Sequence, residues 1–147
     1  SGPTKRVSPE KFLEFIKLCN DKLRCKFFLA AGANEIEEKI VNQILNSEFK
    51  NKCVTLNKLK ISEILPIIKN CNIAICNDTS FSHLSAALGI QTIVLMTDTP
   101  LLYGNYSPRM HPIMPEGKTT VTHNTLGKDQ INPKSIFDKM KDLLNLS

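Results

Sequence analysis

The chain has 147 residues, of which 41% are hydrophobic and 22% charged, with a formal net charge of +5 and a sequence pI near 9.0. This is the size and composition of one soluble domain with its own core; no apolar run approaches the ~20 residues of a membrane span, and "SGPTKRVSPEKF" is no signal peptide. The positive charge favours anionic partners, but the basic residues are dispersed apart from "KNKC" and "NKLK", and no aromatic-rich basic motif points to nucleic acid.

In chain order, Ser8, Pro9 and Glu10 read as a helix start: a serine cap, proline at the first helical position, then an acid. Phe12, Phe15, Ile16 and Cys19 follow at helical spacing. The run "CKFFLAAG" at 25–32 predicts a buried strand ending in a glycine turn, and an amphipathic helix follows from Asn34. A short strand is expected at 53–56. Ser62 then opens a helix that Pro66 should shorten or kink. The run "NIAIC" at 72–76 predicts a strand buried on both faces, followed by a helix over about 79–88 capped by Gly89. Another strand is expected at 91–96. Residues 97–117, with Pro100, Pro108, Pro112 and Pro115, read as a long irregular segment, and "TTVTH" as a last edge strand. Asn132 and Pro133 start a final helix. Apolar strands alternating with helices predict a parallel sheet of about five strands, covered on both sides: a Rossmann-like three-layer α/β fold. The whole of 1–147 reads as one domain. The five cysteines form no CxxC pair and read as reduced thiols, three of them in or beside apolar runs.

Chemistry concentrates in "AICNDTSFSHLSAALG", where a strand delivers Asn77, Asp78, Thr79 and Ser80 into the mouth of a helix. Ligands of open parallel sheets sit at the carboxyl ends of strands, and a helix amino end attracts anions through its unpaired N–H groups and dipole. Asp78 is the natural N-cap, which needs no ligand. Thr79, Ser80 and His83 share one side of the helix, opposite an apolar stripe of Phe81, Leu84 and Leu88, and would suit a phosphate. The chain has no GxGxxG and no GxxxxGK[ST], which disfavours a dinucleotide-binding domain or a P-loop NTPase; GxSxG and HExxH are absent as well.

The stretch "NDTSFSHLSAALGIQTIVLMTDTP" resembles the signature of glycosyltransferase family 9, the ADP-heptose:lipopolysaccharide heptosyltransferases. "SGPTKRVSPEKF" is similar to the family's loop and helix at Lys5, Arg6, Pro9, Glu10 and Phe12. "LAAGANEIEE" is similar to its strand-glycine-acid element at Gly32 and the acids of 35–38. "PLLYGNYSPRMHPI" is similar to its proline-glycine-tyrosine loop at Pro100, Gly104, Tyr106 and Pro108. The resemblance covers most of the chain in the right order. It departs where Ser80 replaces the family's glycine, adding a Cβ beside a phosphate, and where Val7 replaces a tryptophan.

The resemblance implies the C-terminal, donor-binding half of a GT-B enzyme. Lys5 and Arg6 would meet the donor phosphates, and Asp78, Thr79 and Ser80 would cradle the diphosphate. His83 would brace the site or touch the sugar. Gly32 would mark the turn, and Glu35 or Glu38 would hold ribose hydroxyls, although acids in a first helical turn also stabilise the dipole unaided. The implied reaction moves a sugar, ADP-heptose being the implied donor, to a lipid-linked saccharide of the lipopolysaccharide core. The implied catalytic base lies in a missing N-terminal domain, so this chain alone would be inactive. No cofactor is implied and no DxD-type pair is placed for a metal. The implied setting is the cytoplasm, peripheral to the inner membrane. The alternatives are a GT-B relative using another nucleotide sugar, as a transferase or an epimerase, and a non-catalytic nucleotide-binding module marked by Ser80.

Overall fold

The computed structural model describes residues 2–147. The elements run α1 (Pro9–Lys22), β1 (Phe27–Leu29), α2 (Glu35–Leu45), β2 (Cys53–Thr55), α3 (Ile61–Lys69), β3 (Ala74–Asn77), α4 (Ser80–Ala87), β4 (Thr92–Leu95), β5 (Met110–Ile113) and α5 (Pro133–Leu143). All five strands pair in parallel, in two ladders: β1 with β2, and β3–β4–β5 in that order. The helix starts lie where the caps put them. Ser8 Oγ accepts from Lys11 N–H, Asn34 Oδ1 from Glu37 N–H, and Asn132 Oδ1 from Lys134 N–H.

Alternation along β4 makes the layers. Ile93 and Leu95 point into a core shared with α1, α2 and α5 through Phe15, Ile16, Cys19, Ile44, Ile136 and Phe137. Val94 and Met96 face the other way, against Ala86 of α4. Side chains of successive strand residues point to opposite faces, so a fully buried strand needs helices on both sides. The three-layer parallel arrangement therefore stands as the sequence predicts.

Several expectations change. The fully buried strand is β4; β3 is half-buried throughout, because it lies at the edge of its ladder. The expected strand at 25–32 contracts to three residues. Residues 119–123 form no strand. The fifth strand instead emerges inside the segment read as irregular, with Met110 opposite Thr92 and Ile113 opposite Leu95. Pro112 hides this strand from a sequence reading, but proline is tolerated where a strand lies at an edge and its missing N–H leaves no ladder bond unmade. Pro66 sits inside α3, as its sixth residue, in a helix that opens at Ile61 rather than Ser62. The α4 face turned to the sheet is not the apolar stripe. Ser82, Ser85 and Ala86 are buried there, while Phe81 and Leu88 pack with Ile64 and Ile68 of α3. Small residues let this helix approach the strands closely.

Candidate functional site

Three segments far apart in sequence meet at the carboxyl ends of β3 and β4. The first is the loop before α1. Its Lys5 ammonium lies 3.3 Å from Asp78 Oδ2, and Val7 N–H donates to Asn77 Oδ1 at 3.4 Å. Thr4 carbonyl accepts from Thr97 Oγ1 at 2.8 Å. The second segment is the β3–α4 turn. The third follows β4, where Thr99 Oγ1 donates to the same Asp78 oxygen at 2.6 Å. Asp78 is buried, and its charge is tolerable there because a hydroxyl and an ammonium answer it.

Asp78 is thus turned inward and does not cap α4. The N-cap position belongs to Thr79, whose side chain makes no capping bond. The physical reason is that the Thr99 hydroxyl and Lys5 outbid the helix N–H groups for the carboxylate: both are at hand, one of them charged, and charge-assisted bonds are the stronger kind. The amino end of α4 is left without a side-chain cap among the described residues, with exposed Ser80 as its first residue. Ser80 lies in ordinary helix rather than in the left-handed region, so the change from glycine brings no backbone strain.

A parallel link reaches α2. Arg6 Nε lies 3.9 Å from Glu37 Oε1, and Asn34 Nδ2 donates to Glu37 Oε2 at 3.0 Å. The neighbouring cations Lys5 and Arg6 therefore tie one loop to the first turns of two helices. Among the acids of 35–38, Glu37 is the buried one; Glu35 and Glu38, the sequence candidates, are exposed and are not drawn into this group. Gly32 lies against the same carboxylate, which would have to shift to admit a Cβ there.

The segment after β4 is fastened over the opening of α4. Pro100 leads into a 3-10 turn, Leu101–Gly104, whose Gly104 packs against the Met96 side chain, which would have to shift to admit a Cβ. Beyond it, Tyr106 stacks on His83 with ring centroids 5.6 Å apart and an interplanar angle of 14°, and its hydroxyl lies 2.6 Å from His83 Nδ1. A last strap comes from the turn before α5. Gly127 N–H donates to Thr97 carbonyl at 2.9 Å and Leu126 N–H to Asp98 Oδ1 at 2.8 Å. The Leu126 bond holds the Asp98 carboxyl below its usual range.

The structure thus brings Lys5, Asp78, Thr79, Ser80 and His83 to one strand-to-helix opening, with Arg6 and Gly32 beside Glu37 at another. Thr97, Thr99 and Glu37 were missed as site residues by sequence reasoning. The threonines stood inside the family-like stretch but had no periodicity or charge to single them out. The chemistry assembled is a cation, hydroxyls, an imidazole and an uncapped helix amino end, a set suited to a phosphorylated ligand.

Comparison with known proteins gives the family and the fold. The family model for glycosyltransferase family 9 (heptosyltransferase) matches residues 1–133. Lipooligosaccharide heptosyltransferase 2 of Haemophilus influenzae is 24% identical over 121 residues, which is 82% of this chain and 33% of that protein. Among solved structures, E. coli heptosyltransferase WaaC with ADP superposes at a TM-score of 0.81 with 19% identity, covering 97% of this chain and 41% of that one. E. coli ADP-heptose lps heptosyltransferase II follows at 0.74 and 22%, covering 97% and 43%. This chain spans less than half the length of each of these relatives. With the family model matching across residues 1–133 and the fold shared with heptosyltransferase structures, the chain belongs to glycosyltransferase family 9.

Proposed function

We propose that this chain is the C-terminal, donor-binding half of a glycosyltransferase. In this reading it takes a nucleoside-diphosphate sugar, ADP-heptose or a close analogue, whose diphosphate sits at the amino end of α4. The observation that carries the reading is the Lys5–Asp78–Thr99 group, which sets an ammonium beside a helix amino end that no side chain caps. Its support from outside is that E. coli heptosyltransferase WaaC is described with ADP in one structure and with ADP-2-deoxy-2-fluoro heptose in another.

Transfer of a sugar leaves negative charge on the departing diphosphate. Backbone N–H groups at Ser80 and Phe81, the Ser80 hydroxyl and Lys5 would meet that charge as preorganised donors. Asp78 Oδ2 takes both Thr99 and Lys5, so part of its role is to hold Lys5 and the segment after β4 in place. Arg6 and Glu37 would fix the same loop from its other side. A second half of the enzyme would bring the base and the acceptor, a lipid-linked saccharide.

The test is calorimetric titration with ADP-, UDP-, GDP- and CMP-sugars. Adenine-containing donors should bind best and lose affinity in Lys5→Ala. Preference for another nucleotide would redirect the reading to a different GT-B donor, and no binding to any would overturn it.

A further inference from the structure

His83 projects from the first turns of α4, three residues beyond Ser80, and one of its ring nitrogens is already engaged. Tyr106 holds Nδ1 at 2.6 Å while its ring lies nearly parallel to the imidazole. Nε2 has no hydrogen-bond partner among the described residues. A neutral imidazole has one donor and one acceptor nitrogen, and the bond made by one decides the character of the other. A phenol hydroxyl that donates to Nδ1 fixes the proton on Nε2. The free nitrogen is then an N–H donor beside the uncapped helix end, a character suited to anionic oxygen.

Tyr106 is positioned by the segment that leads up to it. Thr99, earlier in the same segment, is bonded to buried Asp78, and Gly104 is wedged against Met96. The Tyr106 ring itself is exposed, so burial of apolar surface does not account for where it sits.

We propose that Tyr106 is a positioning residue for His83. It locks the imidazole in the tautomer with the proton on Nε2 and aims that N–H at a diphosphate oxygen of the donor, acting through the histidine rather than by touching the ligand. This rests on the donor site proposed above.

The experiment uses this chain labelled with nitrogen-15, at about pH 8, above the ordinary imidazole range. Long-range proton–nitrogen spectra should show His83 in a single tautomer with the proton on Nε2. In Tyr106→Phe, which keeps a ring to stack but loses the hydroxyl, the two nitrogens should move toward the averaged shifts of a mixed tautomer. ADP affinity should fall about three- to tenfold in Tyr106→Phe, the range expected for one neutral hydrogen bond. In a His83→Ala background the same change should cost nothing further, since the tyrosine acts through the ring that has been removed. An unchanged tautomer in Tyr106→Phe overturns the inference. So does an affinity loss that persists in the His83→Ala background, which would put Tyr106 on the ligand itself. If ADP does not bind the wild-type chain, the donor-site reading fails and the positioning role toward a ligand fails with it. If ADP binds and the nitrogen signals do not change, only the inference about Tyr106 fails.

Discussion

Replacing Asp78 by alanine should damage this protein more than its position in a surface turn would indicate. Its side chain is 6% exposed, and one oxygen takes both the Thr99 hydroxyl at 2.6 Å and the Lys5 ammonium at 3.3 Å. The hydroxyl bond joins a charged acceptor to a donor that is itself buried, and such bonds contribute about 1.5–3 kcal/mol. Lys5 is 33% exposed on its side chain, so solvent screens that pair and its share is at most about 1 kcal/mol. Asp78→Ala should therefore cost about 2–4 kcal/mol, or roughly 5–15 °C of melting temperature for a chain of this size. Asp78→Asn keeps an acceptor for Thr99 and loses only the charge, so it should cost about 1 kcal/mol. Urea unfolding followed by far-ultraviolet circular dichroism, with slopes compared between variants, reads both changes. A cost within about 0.5 kcal/mol of zero for Asp78→Ala would refute the assignment of Asp78 as the anchor of this turn.

Other predictions concern separate parts of the structure. Cys19 is fully buried and burial pushes its thiol up to about 12, so an aromatic disulfide reagent should leave it unmodified in the native chain and react on unfolding; prompt native labelling, mapped by mass spectrometry, would contradict the packing of α1 on α5. Gly32→Ala should push aside the Glu37 carboxylate, the far end of a flexible side chain, and so cost no more than about 1 kcal/mol in urea unfolding; a loss of about 3 kcal/mol would show that the carboxylate cannot move. The Asp98 carboxyl is held below its usual range by Leu126 N–H, so the unfolded chain binds more protons in the window below about pH 4. The stability this contributes is present above that window and is lost as pH falls through the lowered value. The gap in melting temperature between wild type and Asp98→Asn should therefore close on acidification, and a gap that widens would refute the sign.

Much of the fold was legible because its signals are local. Ser8, Asn34 and Asn132 each cap the helix that the sequence places after them, and β4 declares itself by an unbroken apolar run. What stayed hidden depends on partners distant in sequence. The strand at Met110–Ile113 contains a proline and takes its pairing from β4, so neither propensity nor period marks it. The site divided in the same way. Lys5, Thr79, Ser80 and His83 come together at one strand-to-helix opening, and Asp78, which the sequence offered both as a cap and as part of the diphosphate cradle, is no cap, because Thr99 and Lys5 take its Oδ2. At α2 the structure ties down Glu37, which Arg6 and Asn34 reach, while Glu35 and Glu38 stay exposed to solvent. Which one of three neighbouring acids is buried cannot be read without the direction of the helix.

The most direct test of the donor-site account is an amide proton–nitrogen titration of this chain with ADP. The account predicts that the backbone signals of Thr79, Ser80 and Phe81 shift together along one binding curve, that Lys5→Ala weakens that curve, and that AMP, lacking the second phosphate, produces smaller shifts. Shifts confined to the opposite end of the strands, around Gln91 and His111, or no saturable shift at the α4 opening, would contradict it.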